Sequence, residues 1–232
     1  ACSSSEEKVS TGGAITIGAE QEPDCLDFVG SCSGSSWGFW MVAVNTLPRA
    51  YSVERIGDED KWEYKRTNLL AKDAELQTDP VQKITYTINK DAVWSDGKPI
   101  VGDDFVYTWD QVANGTDVYD TTGYKDIASV KVDPDDDKVV VVTMKKNYAG
   151  WKSLFGGNYG VLPSHLLKGK DRNAEMADGY TFSGGPFKLT DGGWKKGESI
   201  TLVRNDKYWG EKAKLDKVTF RIQADTTAEF TA

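Results

Sequence analysis

The run Val139–Val142 constrains the fold of this chain more than any other feature. Successive strand residues point to opposite faces, so a strand that is apolar at each of four positions must be covered on both sides. Such a strand predicts interior sheet in a sizeable α/β or α+β body. The chain can fill one, because 39% of its 232 residues are apolar and 11% aromatic. Before the valines comes Ile127–Val132, and Asp133-Pro134-Asp135-Asp136-Asp137 between them reads as a tight acidic turn, giving a hairpin.

Other elements follow from spacing. Ala14 to Gly18 reads as a strand that Glu22-Pro23-Asp24 breaks into a loop. Trp37 to Tyr51 is apolar and long enough for a buried helix closed by Pro48. Ile84, Tyr86 and Ile88 alternate with polar residues, so this strand has one face on a core. It runs into Trp94-Ser95-Asp96-Gly97-Lys98-Pro99, which is turn chemistry, and then Asp103 or Asp104 can cap a helix presenting Phe105, Val106, Trp109 and Val112. A short helix is expected over Leu162 to Leu167, and strands over 186–189, 199–204 and 216–222. No repeat of fixed period and no long linker divides residues 13–232.

Charge excludes one class of partner. With 28 Lys and Arg against 36 Asp and Glu, the net charge is −8, and no basic run offers nucleic acid a footing. The most apolar stretches, Phe39 to Val44 and Val139 to Met144, fall far short of the roughly 20 residues of a spanning helix.

The start, small and polar with Cys2 at its front, looks like the remnant of a processed bacterial lipoprotein signal. That predicts a lipid on Cys2 and a flexible tether over residues 1–12; a frayed terminus is the plainer alternative. In an exported chain Cys25 and Cys32 favour a local disulfide, with free thiols or metal binding as alternatives. Zinc would want four Cys or His ligands, and His165 is the sole histidine. Thr226 to Ala232 resembles a capped helix start cut in its second turn, so a fragment is expected.

The stretch Lys83-Ile84-Thr85-Tyr86-Thr87-Ile88-Asn89-Lys90-Asp91-Ala92-Val93-Trp94-Ser95-Asp96-Gly97-Lys98-Pro99-Ile100, with Asp103 to Trp109 after it, is very similar to the signature block of the family 5 extracellular solute-binding proteins of ABC transporters. Weaker blocks occur in that family's order at Gly12 to Asp27, Leu162 to Leu167, Gly184 to Leu189, Arg204 to Gly210 and Leu215 to Val218. Two features depart from it: Ser183-Gly184-Gly185-Pro186-Phe187 stands where Gly-Thr-Gly-Pro-Tyr is usual, and the Cys25 to Cys32 loop is no general family feature.

The resemblance implies an α/β fold with mixed sheets, lobe I of a two-lobed periplasmic-binding-protein-like architecture (type II, cluster C), with residues 13–232 stopping short of lobe II. It implies a monomeric, noncatalytic receptor without a cofactor. That receptor would hold a peptide or similar extended solute between its lobes and pass it to ABC permease subunits. It would be extracytoplasmic, touching the membrane only through the lipid on Cys2. An oligosaccharide binder of the same fold, an exported hydrolase or a glycan-adhesion module are the competing readings.

In the resembled family, loops after the first strand face the cleft. Here these supply Glu22 and the stretch Gly30 to Trp37, including Gly34, Ser36 and Trp37, with Tyr119 from the segment after the signature helix. Each has a plainer reading: Glu22 as a solvated carboxylate, and Trp37 or Trp40 as core. Trp94, Asp96, Gly97 and Trp109 read as architecture. Asp133, Asp135 and Asp137 have calcium-loop spacing, but Lys138 and Met144 occupy the places of the required Gly and Glu, leaving a solvated turn. Ser164 beside His165 does not make a triad.

Overall fold

The computed structural model describes residues 11–34, 36–57, 60–157 and 159–223. The expected lipid site Cys2, the tether up to residue 10, and the helix start at Thr226 to Ala232 lie outside the described residues.

Strand β1 (Ala14–Ala19) leads through the Pro23 loop into a helical stretch over residues 36–46. This stretch is composite: α1 (Ser36–Gly38), a π-helical turn Phe39–Ala43 and α2 (Val44–Thr46). The expected helix is therefore shorter than its apolar run. Leu47 is already extended before Pro48, whose ring disfavours helical backbone in the residue ahead of it. Tyr51 belongs to β2 (Tyr51–Ile56), which pairs with β3 (Lys61–Arg66) in a hairpin.

Next come β4 (Glu75–Gln77), β5 (Lys83–Thr87), α3 (Gly102–Asn114), β6 (Ile127–Val132) and β7 (Val139–Met144). Their strands form an antiparallel sheet ordered β4-β5-β7-β6. The valine strand is interior in that order, as expected. Its two faces are unequal, however: Val140, Val142 and Met144 are fully buried, whereas Val139, Val141 and Thr143 are half-buried. On the half-buried face Val141 stands between Thr85 and Lys131, so polar neighbours keep that side wet. Helix α3 covers the other face. Gly102 permits the close approach, since a Cβ there would fall 2.7 Å from a methyl of Val132 and 3.0 Å from one of Val140.

The chain then makes α4 (Ser164–Leu167), α5 (Arg172–Met176), β8 (Phe187–Lys195), β9 (Ser199–Arg204) and β10 (Lys217–Ile222). In this second sheet the order is β1-β10-β9-β8, and β1 runs parallel to β10. One continuous core joins the sheets, with Trp94, Tyr86, Phe105 and Phe155 at its centre. The Phe105 and Phe155 rings lie 4.7 Å apart, and each fully buried large side chain contributes about 1.5–3 kcal/mol.

Candidate functional site

The signature block is a joint. Val101 occupies the N-cap of α3 and has no acceptor of its own, while Asp104, at the third helical position, reaches back to accept from the Val101 amide at 3.1 Å. Asp104 also accepts from the Trp94 indole at 3.0 Å, and from the Ser164 amide and hydroxyl at 2.7 and 2.8 Å. This carboxylate is buried, so four donors replace its water. Asp104 thus serves the helix start from inside the first turn rather than from the cap position. In the turn itself, Gly97 has φ of 86°, a backbone conformation that favours glycine, and Lys98 N donates to Asp96 Oδ1 at 2.9 Å. His165 Nε2 lies 2.6 Å from the other Asp96 oxygen, which ties α4 to the turn and gives the sole histidine a structural partner.

A second joint holds the loop after β1. Asp27 is fully buried and faces Arg172 of α5, whose Nε lies 3.0 Å from both carboxylate oxygens. Arg172 also donates to Gln111 Oε1 of α3 at 3.1 Å and to the Thr116 carbonyl at 3.0 Å. The Asn173 amide and the Val29 N–H complete the shell around Asp27. Sequence reasoning missed this pair: its members are 145 residues apart, and nothing local marks either one. Above it, Cys25 and Cys32 form a disulfide, their Cα atoms 5.7 Å apart. Gly30 bridges Val118, Tyr119 N donates to Val29 O at 2.8 Å, and the Ser31 hydroxyl bonds to Asp117.

The loop after β1 and the Tyr119 segment are therefore neighbours, as a shared site would require. Gly34 is exposed, and the Tyr119 side chain is 60% exposed. Ser36 opens α1, but its side chain lies outside the described residues. Trp37 is half-buried against the core, whereas Trp40 on the π-helical turn is 64% exposed, so the indole open to solvent is that of Trp40. Glu22 sits apart: its Oε1 accepts from the Trp194 indole and the Gly197 amide, both at 2.7 Å, engaging that oxygen with the β8–β9 hairpin.

Phe39 and Trp40 meet edge to face, 5.6 Å between centroids, and the Arg49 guanidinium lies 4.5 Å from the Phe39 centroid. Burial pushes the hydroxyls of Tyr107 and Tyr159 up to about 12. Tyr159 donates to the Asp120 carbonyl and accepts from the Asp120 amide. In the acidic turn, Asp133 and Asp136 accept from the Asp135 and Lys138 amides, an ordinary use of Asp in turns.

With this geometry in view, the comparisons are specific. The family model for bacterial extracellular solute-binding proteins, family 5 Middle, matches residues 65–232, well over half of the chain. The chain belongs to this family. Among family 5 relatives, the oligopeptide-binding protein OppA of Mycobacterium tuberculosis is 33% identical over 78% of the chain and 30% of its own length. The dipeptide-binding protein DppE of Bacillus subtilis is 28% identical over 97% of the chain and 42% of its own length.

Two solved structures extend the likeness. The periplasmic EDTA-binding protein EppA superposes with a TM-score of 0.83 at 31% identity, covering 96% of this chain and 42% of that one. The oligopeptide-binding protein AppA of Bacillus subtilis, in complex with a nonapeptide, gives 0.78 at 20% identity over 94% of this chain and 42% of that one, a likeness of fold. The chain thus spans between about a third and two fifths of the relatives it matches.

Proposed function

We propose that this chain is the lobe I portion, over residues 13–232, of a noncatalytic receptor that captures peptides or similar extended solutes outside the cytoplasm and delivers them to an ABC permease. The observation that carries it is the family 5 match over residues 65–232, alongside 33% identity to an oligopeptide-binding protein. The receptor acts as a monomer, and a lipid on Cys2 anchors it to the outer face of the membrane. Its solute-facing surface is the joined loop pair, with Gly34, Ser36, Trp37 and Tyr119 beside the disulfide. Glu22 contributes by holding the β8–β9 turn. A ligand held largely through its main chain asks few distinctive side chains of such a surface.

A second reading, a small polycarboxylate or chelate as solute, has one observation in its favour: the 31% identity and TM-score of 0.83 to an EDTA-binding protein.

Scattering from a chain extended to the length of its relatives tests the receptor. Adding a pool of tri- to pentapeptides should compact it, as hinge closure around a ligand requires. If no peptide pool compacts it, the peptide reading fails. An EDTA-induced compaction in its place would establish the second. The 232-residue chain alone should bind peptides weakly, because one jaw leaves the ligand wet; micromolar or tighter calorimetric affinity would contradict that.

A further inference from the structure

Among the described residues, five buried side-chain atoms lack a hydrogen-bond partner: the hydroxyls of Tyr86 and Tyr107, the indole nitrogen of Trp109, and Nε and Nη2 of Arg49. Three of these belong to neutral groups, and each forfeits a single hydrogen bond. A guanidinium is always charged, so drying it without a partner is far more costly. The contrast with Arg172 is direct. That arginine is buried as a whole residue, and a carboxylate 3.0 Å away and three further acceptors match it, whereas Arg49 is half-buried with its Nε and Nη2 shut from water. Arg49 has no ion-pair partner among the described residues.

What Arg49 has is an aromatic face on one side and a small hollow nearby. Its guanidinium lies 4.5 Å from the Phe39 centroid. Phe39 is only half-buried and leans on exposed Trp40, and Arg49 itself is half-buried. The ring belongs to the π-helical turn Phe39–Ala43, a form that tends to occur at functional positions. A cavity of about 130 Å³ is lined by Arg49, Ser52, Thr67, Asn68 and Tyr208 and, over the larger part of its wall, by apolar residues such as Leu47 and Pro48; it has room for a carboxylate and a water or two rather than for a whole peptide. Burial lowers the Arg49 pKa to about 10, an effect that Tyr180 partly opposes.

We propose that Arg49 is an anion seat for a carboxylate, with Phe39 and Trp40 as the apolar wall against which the bearer of that carboxylate rests. The planar fork of the guanidinium fits a carboxylate through two parallel hydrogen bonds, which supplies Nε and Nη2 with the acceptors they lack. A solute or an Asp or Glu elsewhere in the protein can provide the carboxylate, and the chemistry at Arg49 is the same. This inference goes beyond the receptor reading and does not depend on it.

Acetate is the probe. Melting of the 232-residue chain is compared in sodium acetate and sodium chloride at matched ionic strength near about 0.15 M, which equalises screening. Acetate should raise the melting temperature by about 2–4 °C over chloride, the scale of one occupied site in a chain of this size. In Arg49→Met the acetate increment should vanish, and the variant should melt no lower than the parent in chloride because the unpaired charge is gone. Equal melting of the parent in both salts, or an increment that survives in Arg49→Met, overturns the proposal.

A second measurement does not need that variant to fold. The Arg49 Nε–H nitrogen resonance, assigned by its loss in Arg49→Lys, should move during an acetate titration of the parent chain, and a stationary resonance overturns the seat. The source is read in a chain extended to the length of its relatives. A retained acetate response there points to a solute; a response lost while Arg49→Met now destabilises points to an internal carboxylate. Failure of the peptide receptor, seen as absent compaction, leaves all of these readouts untouched.

Discussion

Two carboxylates decide how the described elements hold together, and each makes a sharp prediction. Asp104→Ala removes the acceptor from the Trp94 indole, the Val101 amide, and the Ser164 amide and hydroxyl at once. With orphaned buried donors costing about 1–3 kcal/mol apiece, the total should reach at least about 3 kcal/mol, measurable as a fall in the urea midpoint at unchanged slope. Arg172→Met strands Asp27 in the core and should cost about 3–5 kcal/mol, whereas adding Asp27→Leu should recover most of that loss, because a paired apolar replacement leaves no buried charge. Chemical denaturation of the two single variants and the double variant checks this. Asp104 was partly legible in the sequence, since an acid just inside a predicted helix announces a role at its start. Its reach to Ser164 was not, because the turn residues and the Leu162 to Leu167 segment meet only in three dimensions.

At the scale of elements, the disulfide and the valine strand carry the lesson. Cys25 and Cys32, seven residues apart, close a short loop, and removing that closure by Cys25→Ser with Cys32→Ser should cost about 2–3 kcal/mol. Because the loop also supports the Gly30–Val118 bridge, amide exchange at residues 117–119 should quicken in the double variant, while α3 keeps most of its protection. The pairing was legible from spacing and setting. The valine run was legible as strand and as interior, but its covering was not: apolar character says a face tolerates burial, and only neighbours such as Thr85 and Lys131 reveal that one side stays half-wet. Hairpin β2–β3 escaped notice because alternation there is carried by Val53, Trp62 and Tyr64, all exposed among charges, a pattern without a core face.

Across the whole molecule, the ties between elements imply a pH response. Burial alone would raise the Asp96 carboxyl, but the bonds from His165 and the Lys98 amide outweigh it and hold the pKa below the usual carboxylate range. A depressed pKa contributes stability that is present above the unfolded value, about 3.9, and is lost as pH falls through the lower folded value. The urea midpoint should therefore drop between about pH 5 and pH 2, and the drop should be shallower in Asp96→Asn; with Asp96 more than a third exposed, the difference is small. Fold class and family were legible at this scale because the signature block is built from turn and helix-start chemistry, which leaves a local record. The solute-facing residues left a weaker one: nothing in the spacing of Trp37 and Trp40 says which indole turns outward.

The parallel pairing of β1 with β10 bears on how the chain reaches this state. Gly13 bonds to Asp216 across 203 residues, so this pair closes only after nearly everything between them exists. Contacts of such separation are slow to form. A chain emerging amino-terminus first would hold β1 without its neighbour, its backbone groups unpaired on that side, until β10 arrives. Strand β1, made well before its partner, is then among the last to be locked, and pulse-labelled exchange during refolding should find its amides protected after those of β5 and β7.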